Sequence, residues 1–413
     1  MANKVFLHVG LPKSGTSYLQ AVFADNKARL RKRARVLYPG QTWADQVLAA
    51  RDVLAANPHG ARDPEVLGAW QRLVDEVAAW DGDSLVSMEW LGSAETAQAQ
   101  RIVETLAPAQ VEIIVTVRDI ARTVPAAWQE FVQNWELWSW PEFLGAVTSE
   151  NPRGTSAGNL FWSQQDVGRV LTIWRDVLPA AQVHVVTVGQ PGATAANLWV
   201  RVASVLGVDP STFDASGRGS NESLGLESAE LMLRLNAVSR KRGLEWPVYN
   251  EMFKHALAKR GLAKRRHRES RLRLPAELEP WARERTAEHI AAIKASGADV
   301  VGDLDDLQPV FPADEVAAVE VDDAALLEAA LDGLVALAKD RSDELTRLRG
   351  RIASLREKNR STTGLAADLQ GRLDTASASP VRAMLVGMSE QRPWLMTARK
   401  VYSRCARLLR TRP

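Results

Sequence analysis

Cysteine is almost absent from this 413-residue chain, in which Cys405 is the single example. A lone cysteine cannot close an internal disulfide, and the six histidines show no spacing typical of metal ligands. The sequence therefore predicts a reducing compartment and no metal. No uninterrupted apolar run approaches the ~18 residues of a membrane span. Because residues 1–10 also lack a cleavage-type ending, we expect a cytoplasmic protein.

An excess of charge of one sign is also missing. The 52 Lys and Arg residues stand against 50 Asp and Glu, which leaves a formal net charge of +2. This balance disfavours a protein coated by nucleic acid and confines any basic surface to local stretches. Hydrophobic residues make up 46% of the chain, enough for a sizeable core, so global disorder is excluded.

Short β-branched runs alternate with stretches of helical apolar spacing in the first half of the chain. Strands are predicted at residues 5–9, 85–88, 111–117 and 183–188, and helices at 66–80 and 161–178. This alternation favours an α/β fold with a P-loop-like parallel sheet flanked by helices. Ligands bind at the carboxyl ends of the strands in such sheets. The stretches to search for chemistry are therefore residues 10–17, 89–92 and 118 onward.

The C-terminal part has a different pattern. Apolar residues from Leu331 to Leu373 recur in steps of three and four, a heptad register interrupted by Arg341 and Asn359. This register favours a coiled coil over residues 320–375 that forms a homodimer. The alternative is a long helix that packs back on the domain.

The last segment, residues 380–413, carries eight Lys or Arg residues and one acid, Glu390. Its interleaved apolar residues indicate a basic amphipathic tail that contacts an anionic membrane surface as a peripheral protein. A solvated or protein-packed basic helix is the alternative. The predicted division of the chain is therefore a domain at 1–315, the coiled coil or long helix at 320–375, and this tail.

The most informative stretch is GLPKSGTSYLQ, from Gly10 to Gln20. A glycine-bounded loop between a strand and a helix directs several backbone N–H groups and the helix dipole at one point, which favours a phosphate-like anion. In the nucleotide P-loop pattern GxxxxGKS/T a lysine follows the second glycine. Here Thr16 takes that position and the lysine stands inside the loop, at Lys13. This shift disfavours an ordinary ATPase or kinase, and a turn without a ligand is the plain alternative.

Residues 12–20, PKSGTSYLQ, resemble the 5′-phosphosulfate-binding loop of the sulfotransferases, whose usual form is PKSGTTWLQ. Residues 115–119, VTVRD, resemble the start of that family's 3′-phosphate-binding element. The predicted helix at 161–178 and the strand at 183–188 are similar to a third family element. The resemblance covers residues 4–210 well and extends more loosely to residue 312, so the coiled coil and the tail lie outside it.

The resemblance implies a sulfotransferase fold and 3′-phosphoadenosine 5′-phosphosulfate (PAPS) as co-substrate. It implies a metal-independent, in-line transfer of the sulfuryl group to a hydroxyl of a glycan, glycolipid or small metabolite. Lys13 would contact the bridging oxygen and stabilise the charge that develops on the leaving phosphate. The residues implied in binding the 5′-phosphate are Ser14, Gly15, Thr16 and Ser17.

The resemblance assigns the 3′-phosphate to Arg118, whose planar guanidinium suits phosphate oxygens. A salt bridge between Arg118 and an acid such as Asp119 is the alternative. The family has a serine eight residues after that arginine, where this chain has Ala126. We expect Arg122, Thr123 or a residue of the basic stretch 259–273 to replace the missing hydroxyl.

Transfer to a hydroxyl requires a base near the acceptor oxygen. Glu89 follows the strand at 85–88 and matches the position of the catalytic histidine in cytosolic sulfotransferases. Partial burial would raise the pKa of this carboxyl into a useful range. The alternative is a strand-end charge paired with Lys13 or Arg118. His8 lies inside the first strand, so we expect a packed core histidine.

Three other functions are alternatives to the transferase. A nucleotide-dependent phosphotransferase would need a lysine after Gly15 and an acid that holds magnesium. A non-catalytic scaffold would act through the coiled coil, with Ala126 as a sign of a degraded donor site. Nucleic-acid binding is disfavoured because the basic stretch 259–273 contains no aromatic residue. The tryptophans at 128, 135, 138, 140 and 162 are predicted to pack in a core or to line an acceptor site.

Overall fold

The fold is that of a computed structural model, which describes residues 3–56, 64–216, 224–311 and 321–378 and a few single positions after them. The strands are β1 (Lys4–Gly10), β2 (Val36–Leu37), β3 (Asp83–Ser87), β4 (Gln110–Val117), β5 (Val183–Thr187) and β6 (Asp299–Val301). They form one sheet in the order β2-β3-β1-β4-β5-β6, and each neighbouring pair is parallel. The predicted α/β class with a parallel sheet is confirmed.

Helices flank this sheet. The α helices are α1 (Thr16–Asp25), α2 (Lys27–Arg29), α3 (Trp43–Val53), α4 (Ala69–Ala78), α5 (Thr96–Leu106), α6 (Ile120–Gln133), α7 (Trp140–Thr148), α8 (Ser156–Gln165), α9 (Val167–Val177), α10 (Ala195–Val205), α11 (Leu226–Lys241), α12 (Trp246–Tyr249), α13 (Glu279–Ser296) and α14 (Asp323–Ala378). Segments Leu30–Ala34 and Asn250–Gly261 are π-helical. Short 3-10 turns occur at Glu89–Ser93, Pro152–Gly154, Ala180–Gln182, Pro210–Thr212, Leu262–Arg265, Ala276–Leu278 and Leu304–Leu307.

The central strand β1 is buried on both faces. Val5, Leu7 and Val9 belong to a core that also contains residues of α3, α4, α5 and α9. Phe6 belongs to a second core with residues of α1 and α10. Because successive side chains of a strand point to opposite faces, a strand covered by helices on both sides is mostly apolar, and in β1 the one buried exception is His8.

One predicted helix is in fact two. The expected helix at 161–178 is divided into α8 and α9 at Asp166. The Asp166 side chain accepts a hydrogen bond from the backbone N–H of Arg169 at 2.9 Å and thereby caps α9. Apolar spacing continues across this cap, so periodicity alone gave one helix where the cap makes two.

The tryptophan-rich segment forms a third core. Trp128 is fully buried, Trp135, Trp140 and Trp162 are nearly so, and Trp138 packs against them. The indole of Trp128 donates to the Trp138 carbonyl oxygen at 2.9 Å. These side chains therefore fill the space between α6, α7, α8 and α11.

The connections in the sheet change direction between β1 and β4. The chain leaves β1 toward β2 on one side, whereas it leaves β4 toward β5 on the other. Loops that leave neighbouring parallel strands in opposite directions open a crevice at the carboxyl edge of the sheet. The loop after β1 and the residues after β4 border this crevice.

The chain consists of two units, residues 1–338 and 339–413. Helix α14 extends over 56 residues, which confirms the predicted long C-terminal helix. Coiled-coil pairing stays a prediction, as do the domain limits at 315, 320 and 375. The tail at 380–413 lies almost wholly outside the described residues. Among the residues that are described, no helix is both long and apolar enough to cross a membrane.

Candidate functional site

The loop between β1 and α1 is fixed to the neighbouring strand β4. The Leu11 N–H donates to the Thr116 carbonyl oxygen at 2.7 Å. The Ser14 hydroxyl contacts the Leu11 carbonyl oxygen and lies 2.6 Å from Thr116 Oγ1. Thr116 Oγ1 in turn donates to the Gly10 carbonyl oxygen at 3.1 Å. The buried Ser14 hydroxyl thus takes part in the hydrogen bonds of the loop itself, and its contact with a 5′-phosphate stays a prediction.

Two residues of this loop have a left-handed backbone conformation. Lys13 has φ 66° and Gly15 has φ 88°. A side chain at Gly15 would also clash with Leu198, because its Cβ would lie 2.3 Å from Leu198 Cδ2. Gly15 precedes the first turn of α1, which no side chain of the described residues caps. The first backbone N–H groups of α1 therefore receive no hydrogen bond from an N-cap side chain, and an anion is the kind of partner that satisfies such groups.

Arg118 lies directly across the crevice from the loop. Its Nη1 donates to the Lys13 carbonyl oxygen at 3.2 Å. From a third element, Gln165 Nε2 donates to the Pro12 carbonyl oxygen at 2.9 Å. Burial, aided by the nearby Arg122 charge, lowers the pKa of Arg118 to about 10, so the guanidinium is charged at neutral pH. The loop and Arg118 are thus brought together, as their places after β1 and β4 predict.

The expected replacements for the hydroxyl at Ala126 have other partners. Asp119 pairs with Arg122 rather than with Arg118. Arg122 Nη2 also donates to the Gly189 carbonyl oxygen at 3.0 Å. The Thr123 hydroxyl is buried and donates to the Asp119 carbonyl oxygen at 2.8 Å. Both side chains are therefore held by the protein itself.

The basic stretch 259–273 is divided in its roles. Arg265 is nearly buried and forms ion pairs with Glu269 and Asp332. Lys259 instead lies close enough to Glu130 of α6 to lower the pKa of that carboxyl. Of the basic residues expected near the donor, Lys259 therefore lies toward the loop and Arg265 anchors the first part of α14.

Glu89, which follows β3, lies beside the start of the loop that joins β1 to α1. A Cβ built on Gly10 would approach the Cβ of Glu89 to 3.3 Å, and one on Gly92 would lie 2.5 Å from the Val9 carbonyl oxygen. The turn Glu89–Ser93 is thereby pressed against the carboxyl end of β1. Glu89 Oε2 accepts a hydrogen bond from Gln20 Nε2 at 2.8 Å.

The electrostatic surroundings of Glu89 favour its protonated form. Burial raises the pKa of this carboxyl, and the negative charge of Glu130 adds to the rise. The hydrogen bonds from its own backbone N–H and from Gln20, together with the Lys13 charge, offset part of it. A carboxyl with a raised pKa is suited to accept a proton near neutral pH.

Glu130 is a charged residue of the site that was not predicted from the sequence. Lys13 Nζ donates to its Oε2 at 3.3 Å. Burial alone would raise the pKa of Glu130, but Lys13, Lys254 and Lys259 outweigh burial and lower it to about 2. Glu130 stands on α6 four residues after Ala126, about one turn, so it shares a helix face with the position that the resemblance assigns to a 3′-phosphate hydroxyl. That spacing was the signal available in the sequence.

A buried polar network lies beneath the loop. His8 Nδ1 is 2.8 Å from Ser87 Oγ, and His8 Nε2 is 3.1 Å from Thr116 Oγ1. Burial lowers the pKa of His8 to about 4, so the imidazole is neutral at physiological pH. His8 is therefore the expected packed core histidine, and it connects β3, β1 and β4 under the site.

The described part of the chain contains no group of three or more His, Cys, Asp or Glu residues arranged to hold a metal ion. No family model matches the chain, and no curated protein or solved structure matches it either. Any proposal of function therefore depends on the residues of the site.

Proposed function

We propose that the chain is a sulfotransferase that uses PAPS and a hydroxyl acceptor, with a P-loop-like site at the crevice between β1 and β4. The observation that carries the proposal is the 3.2 Å hydrogen bond from Arg118 to the Lys13 carbonyl oxygen. It joins the two elements that resemble the 5′- and 3′-phosphate sites of the family. One bisphosphate nucleotide can therefore contact both.

The donor would bind through the loop and the start of α1. The backbone N–H groups of Gly15, Thr16 and Ser17 face the 5′-phosphate in this proposal, with the Ser17 hydroxyl as a further donor. Thr16 is buried, at 4% exposure, and in this proposal it contributes to the site through its backbone N–H at the helix start. Arg118 binds the 3′-phosphate from the other side of the crevice.

The transfer itself needs two side chains. The acceptor oxygen attacks sulfur while the bond between sulfur and the bridging oxygen breaks, and Lys13 stabilises the negative charge on the leaving phosphate. Glu89 takes the proton of the acceptor hydroxyl. Its raised pKa supports this role, because a base is most effective when its pKa is near the working pH.

The partners proposed for the chain are a carbohydrate or glycolipid acceptor and a second copy of itself. Leu345, Leu348, Ile352 and Leu355 are between 45% and 55% exposed on α14. They follow the heptad register, and a second copy offers a stripe of the same period. The proposed homodimer buries this stripe, and peripheral membrane contact is proposed for the tail.

The proposal is tested by incubating the protein with radiolabelled PAPS and a panel of glycans, glycolipids and small hydroxyl compounds. Lys13→Met should abolish transfer of the label while weakening donor binding less severely. Lys32→Met, which removes an exposed lysine outside the site, is the matched control. Transfer that survives in Lys13→Met would exclude the proposed role of the loop.

A further inference from the structure

Glu130 occupies an unusual position among positive charges. Its Oε2 accepts from Lys13 Nζ at 3.3 Å, and its Oε1 lies 3.5 Å from Asn134 Nδ2. Asn134 Oδ1 accepts a hydrogen bond from Lys254 Nζ. Lys259 is also close enough to act on the Glu130 carboxyl. One carboxylate therefore lies among three ammonium groups at the mouth of the loop.

Three ammonium groups at one place repel one another unless a negative charge lies between them. Glu130 supplies that charge from within the protein. An anion bound by the loop would supply it from outside. The Lys13 and Glu130 side chains are 26% and 31% exposed, so an anion can reach Lys13 without unfolding the site.

We propose that Glu130 is the internal counter-ion of the anion site, pairing with Lys13 when the site is empty and releasing it to the phosphosulfate donor. This inference rests on the proposed function, because it identifies the competing anion as the donor or its bisphosphate product. Glu130 is in this view a positioning residue. It holds Lys13 beside the loop between turnovers and competes with the nucleotide for the same ammonium group.

The proposal predicts opposite effects of Glu130→Gln on stability and on binding. Without the carboxylate the empty protein is less stable, because the three lysines lack their counter-charge. Its affinity for 3′-phosphoadenosine 5′-phosphate rises, because Lys13 is already free. We expect a gain of about fivefold to tenfold, at the low end of couplings between sites since both side chains are partly solvated.

The test measures the dissociation constant of 3′-phosphoadenosine 5′-phosphate by calorimetry and the melting temperature with and without this nucleotide. Glu130→Asp keeps the negative charge but moves it away from Lys13 by the length of one methylene group. The affinity of this variant for the nucleotide should therefore lie between those of wild type and Glu130→Gln. Glu104→Gln is the matched control, because that exposed carboxylate on α5 accepts only from the neutral Gln100 in the described contacts. It should change neither quantity.

The binding measurements distinguish a failure of the counter-ion inference from a failure of the proposed function. Tighter binding in Glu130→Gln supports the counter-ion, including the case in which only this variant binds measurably. Equal or weaker binding beside a wild type that binds would overturn the inference and leave the proposed function standing. If neither protein binds the nucleotide, both are overturned. Should Glu130→Gln not fold, Glu130→Asp decides by the same criterion, with equal or weaker binding counting against the counter-ion.

Discussion

Replacing Gly15 by alanine tests the geometry of the loop most sharply. Gly15 has φ 88°, and the added methyl group would lie 2.3 Å from Leu198 Cδ2. Leu198 belongs to α10 and is 6% exposed within the core that it shares with α1. The substitution therefore strains the backbone and overfills a packed contact at the same time.

The two costs can be estimated separately. A left-handed alanine costs about 1–2 kcal/mol relative to glycine. Forcing an extra methyl group into a packed core costs a further ~1–3 kcal/mol. We therefore expect Gly15→Ala to lower the free energy of unfolding by about 2–5 kcal/mol.

Gly207 provides a matched control at the end of the same helix α10. Its φ is 67°, and a Cβ added to Gly207 would have no atom of the described residues within 4 Å beyond its own chain neighbours. Gly207→Ala should therefore show the backbone cost alone, about 1–2 kcal/mol.

The assay is urea unfolding followed by tryptophan fluorescence. Gly15→Ala should also be measured in a Leu198→Ala background, where the clash is removed and the loss should fall by ~1–3 kcal/mol. Two results would contradict the described contact between the loop and α10. One is a Gly15→Ala loss no larger than that of Gly207→Ala, and the other is a Gly15→Ala loss that is the same with and without Leu198→Ala.

The other predictions concern charge and assembly. Burial raises the folded-state pKa of Glu89 above its ordinary 4.5, so its contribution to stability is present below pH 4.5 and lost as the pH rises through the raised value. Unfolding measured at pH 4 and pH 8 should therefore show a gain in stability from Glu89→Gln at pH 8 that shrinks at pH 4, and an equal effect at both would refute the shift. Arg265→Met leaves Glu269 buried at 2% side-chain exposure without its guanidinium partner and should cost about 3 kcal/mol in urea unfolding. Arg283→Met, which breaks the exposed pair of Arg283 with Glu279, should lower the free energy of unfolding by under ~1 kcal/mol. Equal losses in Arg265→Met and Arg283→Met would contradict the role of Arg265 as an anchor of α14. Ile352→Glu with Leu355→Glu should convert the proposed dimer to a monomer in sedimentation. The neighbouring pair Ala353→Glu with Ser354→Glu should leave it intact, and identical behaviour of the two pairs would contradict the heptad interface.

The sequence predicted the central strands because they are buried on both faces. β1, β3, β4 and β5 lie close to the runs at 5–9, 85–88, 111–117 and 183–188. The edge strands β2 and β6 were missed, since two or three residues are too few to show a periodicity. Such short strands take their conformation from the strand they pair with, and the sequence of the segment alone does not reveal that partner.

The site was predictable in part for the same reason. Lys13 and Arg118 follow β1 and β4, whose carboxyl ends meet at one edge, so their proximity follows from the parallel sheet. Glu130 and Lys254 come from helical segments that are 117 or more residues from Lys13 in sequence. Their charges reach Lys13 only through the packing of α6 and the π-helical segment around the loop.

The central claim is that the crevice between β1 and β4 binds a 3′,5′-bisphosphate nucleotide. The most direct test is calorimetric titration of the purified protein with 3′-phosphoadenosine 5′-phosphate, beside a parallel titration with ATP and magnesium. The account predicts binding of the bisphosphate alone, and its loss in Arg118→Met. Binding of magnesium-ATP instead would indicate a phosphotransferase, and no binding of either nucleotide would contradict the donor site and favour a non-catalytic scaffold.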